Sequence, residues 1–380
     1  MYKVSYEWRP MPSSEVLKAH PAWKRLAEFD CGDSAADRII GGLNAALGQF
    51  PWVVRLGYIN ADEPDPDWMC GGALVTDRHV VTAAHCLANL DVGYELLYSS
   101  MHASMQASKH ASKQACKQAC KQSCKQACEQ ACEQACKQAY KQAYKPECKQ
   151  QIKQAYSQSC KQACKPECKQ ACNQKIKQAY SQRAFIRMGE LNTETDPDCQ
   201  LATCAPKVQD RKPKVIKKHP EFNKPAFHND IAIIELDKPV ELHEYVAPIC
   251  LPNTEEQLAE MPLGELLTVA GWGKMNMTTE ERAHILQYVQ IPIVEPGACN
   301  MFGKTFTVAK SQICAGAQQN KDACGGDSGG PVMKVFDSVE GPKNYLMGVV
   351  SFGPTICGIK KPGVYAATSF YLKWILDNII

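Results

Sequence analysis

The chain has no apolar run long enough to cross a bilayer as a helix, and Met1 to Asp30 holds none of signal-peptide length. A helical membrane span is therefore not expected. The polar start, with Trp8, Arg9 and Pro10 early, reads as a segment whose upstream coding sequence is missing. Charge of one sign is scarce too: 43 Lys and Arg face 40 Asp and Glu, a net +3, and no nucleic-acid partner is expected. Even that surplus is local. Residues 103–183 carry 16 Lys and Arg against 4 Glu, a net +12, so all other residues sum to −9.

That basic stretch repeats every four residues, as in Lys113-Gln-Ala-Cys116, with Cys, Tyr, Ile or Ser at every fourth place. Ala, Lys and Gln favour helix, but a period of 4.0 against 3.6 turns the thiol row by about 40° per step, so it cannot hold one face. Pro146 and Pro166 interrupt it. The short paired knuckles of structural zinc sites are missing. The segment reads as a low-complexity insertion, with a thiol-rich metal or cross-linking segment and a basic binding arm as the alternatives. It falls between strand pieces at Gly93–Leu96 and Ala184–Met188. With a Lys about every fourth residue, it would be a target for any enzyme cutting after Lys, so self-removal is expected if this chain is one.

Chemistry is concentrated elsewhere. Asp322 to Pro331 reads Asp-Ala-Cys-Gly-Gly-Asp-Ser-Gly-Gly-Pro; upstream stand Thr82-Ala83-Ala84-His85-Cys86 and Asn229-Asp230-Ile231-Ala232. Ser-Gly-Gly alone is loop punctuation. Three such motifs in this order are far more specific. A serine hydroxyl is a poor nucleophile at neutral pH and needs a base, for which imidazole has the nearest ordinary pKa. The imidazole in turn needs a carboxylate to fix its tautomer.

The three motifs together resemble the chymotrypsin-like serine endopeptidases, whose triad runs His, Asp, Ser along the chain. The stretch around Cys31, the Thr193–Cys199 segment and the short Cys199–Cys204 loop resemble the catalytic part of arthropod clip-domain proteases. The resemblance implies an all-β fold of two six-stranded Greek-key barrels with a C-terminal α-helix. Runs at Pro51–Leu56, Gly72–Val75 and Leu346–Val350 suit its strands, and Ser369–Ile380, with Trp374 and Ile375 in the core, suits the helix. Residues 1–38 become an activation segment and 39–380 the protease domain, with 103–183 inserted in it.

The resemblance also assigns roles: His85 as base, Asp230 as its orienting acid, Ser328 as nucleophile, and the N–H groups of Gly326 and Ser328 as the oxyanion hole. Asp322 would floor a pocket walled by Ser351, Gly353 and Gly363 and select Arg or Lys. Phe352 stands where Trp is commoner, and Gly325 where a longer residue is, which opens the subsite preferences. Cleavage between Arg38 and Ile39 would free an ammonium to pair with Asp327. Of 21 cysteines, ten lie outside the repeat. The implied bridges are Cys31–Cys250, Cys70–Cys86, Cys299–Cys314 and Cys324–Cys357, leaving Cys199 and Cys204 to each other. A further bridge of relatives has Leu267 and Lys334 at its two ends. Such a set persists in an oxidising compartment, so a secreted, extracellular protein is expected.

Expected partners are a protein substrate, an upstream activating protease and a serpin-type inhibitor, plausibly in an innate-immune or developmental cascade. No cofactor is required, although calcium at Glu190, Asp196 and Asp198 enters as an option. Two alternatives stand beside this reading: a noncatalytic homologue acting as a binding cofactor, and a product disrupted by the insertion.

Overall fold

The computed structural model describes residues 14–35, 44–59, 66–90, 183–274, 281–302, 306–318, 323–354 and 359–380. Arg38, Ile39, Asp322, Cys357, the Gly93–Leu96 piece and the repeat up to Gln182 lie outside them.

Two antiparallel sheets carry the chain. The first is built from β1 (Val53–Ile59), β2 (Asp67–Leu74), β3 (His79–Thr82), β4 (Arg183–Met188), β7 (Gln209–Arg211), β8 (Pro213–Lys218) and β9 (Ala232–Leu236). Between β4 and β7 the two-residue strands β5 (Cys199–Gln200) and β6 (Thr203–Cys204) pair separately. The first sheet runs in the order β7-β4-β1-β2-β3-β9-β8. Its two edges, β7 and β8, are separated in sequence by Lys212 alone, so the ends of the sheet must meet and the sheet curls on itself. Seven strands form it instead of the expected six, because the chain pairs on both sides of Lys212, with β4 before it and β9 after it.

The second sheet comprises β10 (Leu266–Gly271), β11 (Gln287–Pro292), β12 (Gln312–Gly316), β13 (Pro331–Ser338), β14 (Gly341–Phe352) and β15 (Pro362–Ala367), in the order β11-β10-β13-β14-β15-β12. An isolated bridge between Ile293 and Ala315 ties its two ends. The β-branched runs Val53-Val54, Val80-Val81 and Ile233-Ile234 fill the first barrel and are almost fully buried. One core cluster spans both barrels: Trp52, just ahead of β1, is fully buried and donates Nε1–H to Met333 Sδ of β13 at 2.9 Å.

Three short helices, α1 (Ser14–Lys18), α2 (Ala22–Leu26) and α3 (Glu255–Leu258), precede the longer α4 (Thr368–Asn378). In α4, Tyr371, Leu372, Ile375 and Leu376 are buried at helical spacing while Lys373 faces out. Trp374 packs at the edge of the core. The N-terminal segment, expected as a linker, is bolted down over residues 14–35. Leu17 and Ala22 are buried, Lys343 pairs with Asp33 at 2.7 Å, His20 meets Asp377 at 3.0 Å, and a disulfide joins Cys31 to Cys250.

Candidate active site

Strand pairing brings the imidazole to the carboxylate. Thr82 of β3 faces Ala232 of β9, so the 3₁₀ helix Ala84–Leu90 and the residues before β9 leave the sheet at the same corner. There Asp230 accepts the His85 backbone N–H at 2.9 Å through Oδ1, and its Oδ2 lies 2.7 Å from His85 Nδ1. The Ser351 hydroxyl donates to the same Oδ2 at 2.5 Å. Burial alone would lower the His85 pKa, but the charge and hydrogen bond of Asp230 outweigh it and the value is raised. Burial would raise Asp230, yet the His85 charge and the bonds from His85 and Ser351 hold it below the carboxylate range.

A further layer fixes Asp230. Asn229 adopts φ +57°, donates its amide to the carbonyls of Glu221 and Lys224 at 3.1 Å each, and accepts the Tyr371 hydroxyl at 3.0 Å. The C-terminal helix thereby clamps the residue next to the acid. Sequence reading did not single out Tyr371; only its place on the buried face of α4 hinted at a role.

The serine lies on a tight turn between the barrels. Asp327 N–H donates to the Cys324 carbonyl at 3.0 Å and Gly330 N–H to the Asp327 carbonyl at 2.9 Å. Gly326 takes φ +109°, and a Cβ there would come within 3.0 Å of the Gly273 Cα, so the turn requires glycine. Gly71 of β2 donates its N–H to the Ser328 carbonyl at 2.7 Å, which fixes the serine backbone against the first barrel. The Cys86 sulfur, in disulfide with Cys70, lies 3.5 Å from that carbonyl and 3.7 Å from His85 Nε2. The Ser328 hydroxyl makes no hydrogen bond to His85 among the described residues.

The Asp327 carboxylate accepts N–H groups from Gly273 and Cys324 at 2.8 Å each. Burial raises its pKa against those two bonds and the Arg282 charge. Among the described residues it has no ion-pair partner.

Of the expected specificity wall, Ser351 also serves the His–Asp pair through the hydroxyl it donates to Asp230. Gly353 and Gly363 do face each other, a Cβ on the first lying 3.9 Å from the second's Cα. Beside them Phe352 meets Phe227 and Phe302 at 5.2 Å and Phe306 at 5.5 Å between ring centroids, an aromatic patch open on one side. Asp322 lies outside the described residues.

Disulfides join Cys31 to Cys250, Cys70 to Cys86, Cys199 to Cys204 and Cys299 to Cys314. Cys324 is also disulfide-bonded, with Cys357 outside the described residues.

The carboxylates offered to calcium already have protein partners. Glu190 pairs with Arg55 at 3.7 Å and Arg187 at 3.4 Å, both at Oε2, so two guanidinium groups already face that carboxylate, while its buried Oε1 has no hydrogen-bond partner among the described residues. Arg55 stacks between Trp68 and Trp272 at 4.8 and 5.2 Å, and burial lowers its pKa to about 10. Asp198 accepts from Leu191 N, Asn192 N and Thr195 Oγ1, and Asp196 from Val208 N. The carboxylates brace the loop internally, and a divalent cation would meet two positive charges.

The family profile described as Trypsin matches residues 39–124 and 200–375. The chain belongs to the trypsin family. Among its relatives, Phenoloxidase-activating factor 1 of Holotrichia diomphalia is 29% identical over 99% of this chain and 79% of its own length. The CLIP domain-containing serine protease HP8 of Bombyx mori is 28% identical over 97% and 76%. The crystal structure of the Drosophila Grass clip serine protease of the Toll pathway superposes with a TM-score of 0.60 at 24% identity, covering 92% of this chain and 75% of that one. That likeness establishes the chymotrypsin-like fold. This trypsin-family protein is a serine endopeptidase.

Proposed function

We propose that the chain is the zymogen of a secreted, trypsin-like endopeptidase that cleaves protein substrates after Arg or Lys, with His85, Asp230 and Ser328 as its triad. The observation that carries this is the hydrogen-bond relay from Ser351 through Asp230 to His85, beside a glycine-shaped turn that bears Ser328.

In the reaction, Ser328 Oγ attacks the scissile carbonyl carbon while His85 Nε2 takes its proton. The N–H groups of Gly326 and Ser328 stabilise the oxyanion, each donor contributing about 3 to 4 kcal/mol. Imidazolium then protonates the leaving amine as the C–N bond breaks, and water, deprotonated by His85, hydrolyses the acyl-enzyme. Asp322 supplies the anion for the substrate cation, and Gly353 and Gly363 leave room for a long basic side chain.

Cleavage between Arg38 and Ile39 starts this chemistry. The new ammonium of Ile39 pairs with Asp327, a buried carboxylate whose described partners are backbone N–H groups alone. Residues 1–38 then stay tethered through Cys31–Cys250, and residues 39–380, interrupted by 103–183, form the protease domain. The relatives named for phenoloxidase activation and the Toll pathway support a place in an arthropod haemolymph cascade, with an activating protease upstream and a serpin-type inhibitor against it. The disulfides support secretion. The phenylalanine patch beside Phe352 favours substrates with an apolar residue ahead of the basic one.

The test is to cleave the purified chain at Arg38 and assay peptide anilides ending in Arg, Lys or Phe. Arg and Lys are hydrolysed and Ser328→Ala abolishes the activity. Cleaved, folded material that ignored basic peptides and cut the aromatic one would overturn the reading.

A further inference from the structure

The N-terminal segment is pinned to the barrels at two places. At the first, Leu17 and Ala22 are buried, His20 meets Asp377, and the Arg25 guanidinium donates to Asp77 at 2.8 Å. At the second, Gly32 N–H donates to the Pro248 carbonyl and the Gly32 carbonyl accepts Asn344 N–H, each at 2.9 Å, beside the Cys31–Cys250 disulfide. Gly32 takes φ +74°, and a Cβ there would come within 2.6 Å of the Asn344 carbonyl oxygen, so the chain lies flat against β14 at this point. Between the two anchors is a cavity of about 510 Å³.

Trp23, Leu26 and Phe29 form its N-terminal wall, and Val75, Ile249 and Leu251 supply the barrel wall. The barrel residues are almost fully buried, whereas the three of the segment are half-buried. A chamber of this size and lining falls in the ordinary range of ligand sites, and with the segment fastened at both ends it cannot close to recover the missing contacts. Lys18 is the one charged residue among the described residues that line it, and its ammonium makes no ion pair or hydrogen bond among them. The Tyr345 hydroxyl and the Asn253 side chain, also on the lining, have no hydrogen-bond partner among the described residues either. Apolar walls with an unpaired cation and two neutral donors suit a long apolar molecule that ends in an anion.

We propose that this cavity binds a medium-chain carboxylate, its alkyl chain between Trp23, Phe29, Ile249 and Leu251 and its carboxylate at the Lys18 ammonium, with Tyr345 and Asn253 as further donors. Such a ligand touches the N-terminal segment and the barrels at once, so occupancy holds the segment in place. None of the lining residues belongs to the candidate active site, and the inference stands apart from the cleavage specificity proposed above.

The test titrates the full-length chain by calorimetry with hexanoate, octanoate and decanoate and with decyltrimethylammonium, all below micelle-forming concentrations. One decanoate binds per chain, its thermal midpoint rises with occupancy, and the dissociation constant falls about fourfold for each added methylene. The cation of the same chain length binds about tenfold more weakly. Lys18→Gln brings the two head groups to equal affinity and leaves the chain-length dependence, and Ala27→Trp fills the cavity from its rim and removes binding. Both positions are exposed, and circular dichroism verifies the fold of each variant. Absence of saturable binding, equal affinity of wild type for the two head groups, or a decanoate isotherm unchanged by Ala27→Trp overturns the proposal. Uptake of many decanoates per chain marks detergent-like adsorption only and overturns it as well.

Discussion

Replacing Asp230 by Asn changes one oxygen for an amide, and the surrounding donors dictate how the new side chain sits. In the structure Oδ1 accepts the His85 backbone N–H at 2.9 Å, while Oδ2 lies 2.7 Å from Nδ1 and 2.5 Å from the Ser351 hydroxyl. Asn has a single acceptor. If it faces Nδ1, its NH2 group opposes the His85 backbone N–H, donor against donor, at a cost of about 1 to 3 kcal/mol for a buried unsatisfied group. The side chain therefore settles with its oxygen on the backbone N–H and its NH2 toward Nδ1. The imidazole must then accept at Nδ1 and carry its proton on Nε2, where it cannot take one from Ser328. The counter-charge for the imidazolium is lost as well. The expected fall in kcat/KM is about ten-thousandfold, the size established for this change in a triad of this family. It corresponds to about 5 kcal/mol of barrier. Steady-state hydrolysis of an Arg anilide by the cleaved variant measures it, with circular dichroism to verify the fold. Activity within about tenfold of wild type would refute the assignment of Asp230.

Ser351→Ala removes a charged hydrogen bond from Asp230 and lowers kcat/KM by roughly ten- to a hundredfold; an unchanged kcat/KM would refute a part for Ser351 in the relay. In the wild type His85 must be neutral to act, and its raised pKa sets the acid limb of activity above the ordinary 6.5, which a pH–rate profile reads directly. For stability the signs oppose. The lowered Asp230 pKa contributes stability that is present above about 3.8 and lost as pH falls through the folded value, while the raised His85 pKa contributes below 6.5 and is lost as pH rises through its folded value. Thermal midpoints should be the same in calcium and in chelator, since Arg55 and Arg187 already face Glu190; a clear rise with calcium would contradict the fit. After cleavage at Arg38, the Cys31→Ser, Cys250→Ser variant should run as two pieces on a non-reducing denaturing gel, where wild type stays one.

The sequence by itself determined the family, the order of the triad and much of the disulfide framework, because those rest on short local motifs. A turn that needs Gly326, a His followed by a bridging Cys86 and an Asp ahead of an apolar strand each announce themselves within a few residues. Only tertiary structure decided what depends on distant segments meeting. Folding put the Ser351 hydroxyl on Asp230, 121 residues away, a bond that its place in the expected pocket wall did not announce. Tyr371 holds Asn229 from 142 residues off, and Arg55, 135 positions before Glu190 in the chain, supplies a counter-charge to that carboxylate. Local patterns encode local backbone geometry, whereas the partner of a buried charge or hydroxyl is chosen by how two barrels and a C-terminal helix close around it.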